Sequence, residues 1–465
     1  MTGRAAPPGR SSAGPGAAPP GAGGPGRVGR AAGRLDPASA PGRFGVAGAP
    51  GTRLLAGPPL AAGPERLASH LARLGPLELG SRTPESLRAE VAASGLTGRG
   101  GGQFPVARKL ETVARSPGRA LVVVNSSEGE PASRKDRTLL EHRPHLLIDG
   151  ALVAARATGA GEVVVYLHRH RRAATAALEA ALAEREALPV AVRVVDAPNR
   201  YVAGESTAVV GYLEGSGALP ARRPRPVASA GVGGRPTLVS NAETVAHLAL
   251  LARFGPAWFR GAGSVDQPGS TLVTLAGQVA LPGLVAEVLD PLPLGRLLAT
   301  VGGLDGPPQA VLVGGYEGTW VSGEVAWATP LDRGLLAAAG APLGCGLLAV
   351  LGAGACGLAT TARLLRWLAG ESAGQCGPCV HGLPALARAF ADLAGPWSTR
   401  RDERRVRRLI AEVHGRGACG HPTGAAILAE SALEAFAGEL RRHRRRGCPP
   451  VAEGFPLPVA RGSGR

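Results

Sequence analysis

Cys376-Gly377-Pro378-Cys379, with Cys419 further along, is the most chemically specific spacing in this chain. Cysteine thiolates hold iron–sulfur clusters, commonly two or three from a tight loop and one from a distance. The same Cys-x-x-Cys spacing serves thioredoxin-like redox exchange, although the helical character of the flanking sequence argues against it. Zinc is a further rival, with His381 or His421 close by in sequence. Six cysteines in 465 residues are too sparse for a disulfide scaffold, so the tight pair points to a metal or redox role in a reducing compartment.

A second signal is scarcity. Lysine occurs only at Lys109 and Lys135, and asparagine only at Asn125, Asn199 and Asn241, in a chain with 52 Lys+Arg. Arginine is a planar fork and lysine a compact point charge, so a chain this biased toward Arg keeps Lys where only Lys fits. Both lysines follow distinctive turns, Gly98-Arg99-Gly100-Gly101-Gly102 and Glu128-Gly129-Glu130-Pro131. Gly98 to Pro105 reads as a glycine loop opening into a helix. Its bare amides suit a phosphate, and Lys109 would add charge. The strict Gly-x-Gly-x-x-Gly dinucleotide fingerprint fails, because Gln103 takes its last position. In the turn Asn125 to Pro131, Glu128 and Glu130 offer acceptors for ribose hydroxyls or a flavin edge. Tyr201 to Thr207 and Ser240 to Thr244 are similar polar turns.

The elements that must position these residues alternate. Thr83 is an N-cap candidate with Pro84 in the first turn of a short helix. Strands are expected at 120–124, 162–166 and 190–195, with helices near 144–158 and 172–187 between them. That alternation implies a parallel α/β sheet, whose ligands bind at the carboxyl ends of the strands. After about residue 255 the pattern becomes a small α+β module: an extended run at 270–280, a helix near 293–300 and a strand at 310–313. From about 358 to 442 it is helical and Arg-rich.

Residues 1 to about 63 are Gly, Ala, Pro and Arg with almost no large apolar side chains, too little to offset ordering entropy. Net charge is +17 and the pI about 11.0. No recognition helix, zinc-finger spacing or aromatic interleaving accompanies that charge, so nucleic acid is not an expected partner. An acidic dinucleotide or an acidic redox subunit accounts for it equally well. Residues 334–361 carry no charge, but Pro342 and repeated glycines break the run. It reads as a buried strand, a turn and a core helix rather than a membrane span.

Taken in order, the segments GRGGGQFPVARK, VNSSEGEPASRKDR, HLLIDG, YVAGESTA, SNAET and ESAGQCGPCVHG resemble the NADH-binding flavoprotein subunit of respiratory complex I and its relatives in NAD-linked hydrogenases and formate dehydrogenases. The resemblance runs from about residue 80 to 440. After a tail over 1–80 that composition marks as disordered, it implies a Rossmann-like FMN- and NADH-binding α/β domain over 81–254 and a ubiquitin-like β-grasp (SLBB) domain over 255–335. A helical bundle with a 4Fe-4S site over 336–442 and a basic disordered tail over 443–465 complete it. Hydride would pass from NADH to FMN, and electrons would leave singly through the cluster.

Carried over by position, Gly98, Arg99, Gly100, Gly101, Lys109 and Asn125 would line the FMN phosphate and ring. Phe104, Glu128 and Glu130 would contact NADH, and Tyr201, Gly204, Glu205, Asn241 and Thr244 would complete the flavin pocket. Glu128 and Lys109 are the catalytic candidates, and Cys376, Cys379 and Cys419 the cluster ligands. The chain departs from the family at Gln103, Ser127, Ser206 and Ser240. Ala373 stands where the first cluster cysteine is expected, with His381, Cys356 or Cys345 as substitutes. These departures keep an alternative in view, an iron–sulfur electron-transfer or adaptor protein of the same fold that has lost NADH oxidation. The implied partner is a ferredoxin-like or thioredoxin-fold iron–sulfur subunit. The implied location is cytoplasmic, with membrane association only through a complex.

Overall fold

The computed structural model describes residues 43–46, 49, 51–168 and 171–446. Ten strands are found among them: β1 (Phe44–Val46), β2 (Leu121–Ser126), β3 (Glu162–His168), β4 (Ala191–Ala197), β5 (Thr237–Asn241), β6 (Thr271–Gly277), β7 (Val285–Val288), β8 (Ala310–Val313), β9 (Thr319–Ser322) and β10 (Leu347–Leu351). They form two sheets. The first, ordered β4-β3-β2-β5, is parallel throughout.

Its central strand β2 is an unbroken apolar run because both faces are covered. Leu121 and Val123 pack with Val164, Tyr166 and Val209 on one face, and Val122 and Val124 with Val163 and Val165 on the other. The covering helices explain the HLLIDG segment. In the helix Pro144–Thr158, a Cβ on Gly150 would lie 1.9 Å from the Val245 carbonyl oxygen, so only glycine lets this helix lie against Ala242–Arg260. Beside it, the Asp149 carboxylate meets Arg253 at 2.6 Å, Arg185 at 2.8 Å and His70 at 2.7 Å. The hydrogen bond from His70 and the two guanidiniums outweigh burial and hold its pKa at about 2.

The second sheet is ordered β1-β7-β6-β10-β8-β9. β6 pairs antiparallel with β7 and parallel with β10, and β10 pairs antiparallel with β8. β10 therefore lies at the centre of this sheet, which corrects a division at residue 335. Residues 347–351 share the core of β6 and β8, with Leu348 and Val350 packed against Val273, Leu275, Val311 and Val313. The uncharged run of 334–361 opens inside a short helix, Arg333–Ala338, which was not expected, and then follows the expected strand, turn and start of the helix Gly357–Gly370. No helix among the described residues is long and apolar enough to cross a membrane.

The remaining helices, Leu383–Ala394, Arg400–Val413, His421–Ala435 and Ala437–Arg446, pack with Gly357–Gly370 into one apolar core. Thr399 and Asp402 form a reciprocal capping box on the Arg-rich helix, which turns Val406, Leu409, Ile410 and Val413 inward and its arginines outward. The expected C-terminal tail starts too early, since the last helix reaches Arg446; residues 447–465 lie outside the described residues.

A disordered segment over 1–80 also needs correction. Residues 1–42 lie outside the described residues, but β1 pairs with β7, and the segment after it is strapped down by buried side chains. The Glu287 carboxylate accepts the backbone N–H groups of Arg53, Leu54 and Leu55 at 2.8–3.0 Å and the Ser270 hydroxyl at 2.5 Å. The Arg143 guanidinium donates to the carbonyls of Leu55, Ala56 and Pro58 at 2.6–3.0 Å. The helix Leu67–Leu74 docks through His70 on Asp149. A segment poor in large apolar residues is thus ordered by polar partners remote in sequence, which composition cannot register.

Glu287→Gln would leave an amide N–H2 facing donors in either orientation. It should cost roughly 2–3 kcal/mol of stability, read as a lower denaturant midpoint than the wild-type protein.

Candidate functional site

In the first sheet the chain runs β2, β3, β4 outward in one direction and then returns to place β5 on the other side of β2. The point where the direction reverses is where open parallel sheets bind ligands, because loops diverge there and leave a crevice at the carboxyl ends. Asn125 and Asn241 close those two ends and are register partners. A cavity of about 430 Å³ opens beyond them, bounded by the glycine loop, the second sheet and the start of helix His421–Ala435. Small-molecule sites commonly span about 300–1,000 Å³.

Lys135 organises the floor. Its buried ammonium lies 2.7 Å from Asp136 Oδ1, 3.0 Å from Glu243 Oε2 and 3.1 Å from Asn241 Oδ1. Asn241 Nδ2 donates to Asp136 Oδ2 at 2.5 Å, while Asn241 Oδ1 caps helix Ala242–Arg260. Burial works against ionising every member. For Glu243, Lys135, Arg333 and Arg99 outweigh it and hold the pKa below the ordinary value; for Asp136, burial prevails over Lys135 and raises the pKa.

The acids of the two polar turns behave differently from one another. The Glu128 carboxylate accepts from Ser133 Oγ at 2.8 Å and from the N–H groups of Asp136 and Arg137, capping the helix Lys135–His142. Its backbone sits at φ 26°. The Glu205 carboxylate likewise caps Ser206–Leu213 through the N–H groups of Thr207 and Ala208. Glu130 is different: one oxygen accepts from the Tyr316 N–H at 2.8 Å, and the other, buried, has no partner. Burial foremost, with Glu317 and Glu128 nearby, pushes its pKa up to about 8.

The intervening glycines are sites of close approach. A Cβ on Gly129 would lie 2.5 Å from the Tyr201 carbonyl oxygen, and one on Gly204 would lie 2.6 Å from Ser127 Oγ. Ser127 and Asn125 complete that contact, with Ser127 Oγ donating to Asn125 Oδ1 and Asn125 Nδ2 to the Gly204 carbonyl, each at 2.7 Å.

Of the residues expected from sequence, Gly100, Gly101, Asn125, Glu128, Glu130, Tyr201, Gly204, Glu205 and Asn241 line the cavity, as does Cys419. Others stand back from it. Arg99 is fully buried and donates to the Pro268 carbonyl, and its N–H is held by Thr244 Oγ1. Lys109 donates to the Val239 carbonyl at 3.0 Å, and burial lowers its pKa. Gly98 closes the loop through its N–H on the Phe104 carbonyl, and the Phe104 ring is 52% exposed. In place of Lys109 the structure puts the other lysine, Lys135, on the cavity, together with Asp136, Glu317, Cys345 and His421. Lysine scarcity was the signal for Lys135; His421 and Cys345 stand out only as possible metal ligands, and nothing local marks Asp136 or Glu317. His421 Nδ1 meets Glu317 Oε1 at 2.5 Å, and Nε2 donates to the Leu368 carbonyl. Burial opposes its protonation, but Glu317 raises the pKa.

Cys376 and Cys379 sit at the head of a π-helical turn, Pro378–Gly382, their sulfurs 3.5 Å apart. Such turns recur at functional sites because they re-aim side chains. Neither suggested cysteine substitute is bound up with this pair. Cys345 faces the cavity, 3.4 Å from the Gly314 carbonyl. Cys356 lies 3.4 Å from both Glu439 and His443.

These donors fit the two groups that the spacing suggests. Gly101 (φ 109°) and Gly102 leave a bare edge on which a phosphorylated ligand can rest against backbone amides. The Cys376 and Cys379 thiols, with Cys419 close enough to interact electrostatically with them, match the soft donors of an iron–sulfur cluster.

Comparison with known proteins agrees in both places. Residues 91–250 match the family model described as the Nuo51 FMN-binding domain, and residues 359–443 match the NADH-ubiquinone oxidoreductase-F iron-sulfur binding region. The chain is 32% identical over 393 residues to the NADH-quinone oxidoreductase F subunit 2 of Rhizobium meliloti (strain 1021), covering 80% of this chain and 92% of that one. It is 33% identical over 381 residues to the NADH-quinone oxidoreductase F subunit of Streptomyces coelicolor, covering 79% and 85%. Among solved structures, an NAD+-reducing [NiFe]-hydrogenase aligns in its air-oxidized state with TM-score 0.74 and 28% identity, over 84% of this chain and 69% of that one. In the H2-reduced state the TM-score is 0.71 and the identity 29%, over 78% of this chain and 63% of that one.

Two outcomes test the site's electrostatics. Lys135→Met strands Asp136 and Glu243 without their cation and should cost on the order of 3–5 kcal/mol in equilibrium unfolding. Glu130 keeps its proton in the folded state up to about pH 8, whereas the unfolded carboxyl loses it near 4.5. The folded state therefore binds more protons in that window, and the stability contributed by the neutral acid is lost as pH rises through it. Unfolding free energies measured between pH 5 and 8 should fall more steeply for the wild type than for Glu130→Gln.

Proposed function

The chain belongs to the family of NADH-quinone oxidoreductase F subunits, and from that premise we propose that it oxidises NADH at a flavin mononucleotide held in the cavity and delivers single electrons through a 4Fe-4S cluster to a partner protein. The observation that carries this reading is that Cys419 and the glycine loop line one and the same cavity. A ligand resting on Gly100 and Gly101 and a cluster held by Cys419 would be neighbours, with no intervening layer of protein.

A bound flavin accepts a hydride and releases electrons one at a time. What this chain's residues contribute is placement and charge. The amides of Gly100 and Gly101 would take the phosphate, and Asn125 and Asn241 fix the sheet edge that would support the ring. Lys135 supplies a buried positive charge under the cavity, which favours electron density arriving above it. Glu128, with its carboxylate on a helix N-terminus, acts as a shaped acceptor for nicotinamide-nucleotide hydroxyls rather than as a proton carrier. Glu130 has the environment for proton exchange near neutral pH. Lys109 supports the site from behind β5. Cys376, Cys379 and Cys419 would hold the cluster, and Ala373 supplies no fourth thiolate.

The second sheet, with its parallel β6–β10 pair flanked by the β6–β7 and β8–β9 hairpins and the helix Leu294–Gly302, supports reading it as the ubiquitin-like β-grasp (SLBB) domain, extended to residue 351. The partner is an iron–sulfur protein of ferredoxin-like or thioredoxin fold. The complex works at the cytoplasmic face, and any membrane association comes through it.

Ser127 and Ser206, where the family carries acids, favour a second reading, electron transfer without NADH oxidation. Spectroscopy of anaerobically purified protein separates the two. Flavin absorption that bleaches on adding NADH, with a reduced-cluster paramagnetic signal, is the expected result. An iron–sulfur spectrum without flavin, unresponsive to NADH, would replace the first reading with the second.

A further inference from the structure

Away from the cofactor cavity, the described residues bring Cys356, Glu439 and His443 together, with one ligand atom of each within 4.8 Å of the others. Cys356 precedes the helix Gly357–Gly370. Glu439 and His443 stand four positions apart on Ala437–Arg446 and therefore share a face. All three are buried. Cys356 Sγ is 3.4 Å from Glu439 Oε2 and 3.4 Å from His443 Nε2. A tetrahedral zinc ion, with Zn–S of about 2.3 Å and Zn–N or Zn–O of about 2.0–2.2 Å, has S–N and S–O edges of roughly 3.5 Å.

Two further observations point the same way. The Glu439 carboxylate makes no ion pair with Lys or Arg among the described residues; its partners besides the thiol are the Leu358 N–H at 3.3 Å and the Gln309 amide. A buried carboxylate without a cation is costly, and a bound cation removes that cost. His443 Nδ1 faces the Gly395 carbonyl at 3.3 Å. An Nδ1–H donated to that carbonyl leaves the Nε2 lone pair directed at Cys356, and a carbonyl behind the ring is the usual support of a metal-binding histidine.

We propose that Cys356, Glu439 and His443 bind a zinc-class divalent cation that clamps the last helix onto the start of helix Gly357–Gly370. On binding, the Cys356 thiol loses its proton to solvent as the sulfur–metal bond forms. Neutral His443 donates its Nε2 lone pair, and the two negative ligands balance the ion's charge. The site is independent of the flavin and of the cluster cysteines.

The test counts zinc and iron by mass spectrometry in the full-length protein after dialysis against metal-free buffer, then exchanges the ion for cobalt. About one zinc per chain is expected in the wild type. In Cys356→Ser, His443→Ala and Glu439→Gln, with circular dichroism confirming the fold, zinc should fall by about tenfold or more. A Cys376→Ser/Cys379→Ser variant should keep its zinc while losing iron. Cobalt-loaded wild type should show thiolate-to-cobalt absorption, absent in Cys356→Ser. A wild-type protein that holds no zinc and gains no such absorption with cobalt overturns the proposal and leaves a hydrogen-bonded helix junction. Zinc that disappears with Cys376 and Cys379 but persists without Cys356 overturns it as well. Because the Cys376→Ser/Cys379→Ser variant leaves Cys356, Glu439 and His443 untouched, its cobalt absorption and zinc content keep the test decisive if a substitution at the site prevents folding.

Discussion

A single buried ammonium joins the parts of this molecule. Lys135 begins the helix that follows the acidic turn, and its charge reaches Asp136 beside it, Asn241 at the end of β5 and Glu243 in the first turn of the next helix. Glu243 in turn accepts the Leu272 N–H at 2.9 Å, at the start of the second sheet. One cation thereby sets the spacing between the parallel sheet, two helix N-termini and the second sheet. The arrangement is stable only as a whole, since each member buried alone would be an uncompensated charge.

The consequence is a cavity walled by elements distant in sequence. β2 and β5 provide the floor, the glycine loop one edge, Gly314, Glu317 and Gly344 of the second sheet another, and Cys419 to His421 the mouth of the helical region. Of the glutamates that line it, Glu128 and Glu205 are spent on helix N-termini, where partial positive charge makes carboxylates useful structurally, and Glu317 pairs with His421. Glu130 differs from these three, and its environment follows from that difference: one of its oxygens accepts the Tyr316 N–H and the other is buried without a partner.

Polar side chains also do the structural work that composition would assign to apolar ones. Glu287 and Arg143 hold the 53–58 segment by its backbone, and Asp149 gathers three basic side chains around the contact where Gly150 lets two helices meet. A chain with 3% aromatic residues has few large rings with which to fill gaps. Close helix approach at glycine and buried ion networks supply that cohesion instead.

Local pattern determined three of the four strands of the parallel sheet, the helices that alternate with them, the polar turns after those strands and the Cys-x-x-Cys turn, but not β5, whose last residues read as a polar turn. Each of these is written in period, caps and scarce residue types over a few neighbouring positions. Only the tertiary structure decided that Lys135 rather than Lys109 reaches the cavity, that β10 is central to the second sheet, that residues 43–80 include a strand and a docked helix, and that Cys356 meets Glu439 and His443. Those outcomes depend on contacts between residues far apart in the chain. Such contacts are selected by the charge and volume balance of the whole core, which no local window of sequence contains.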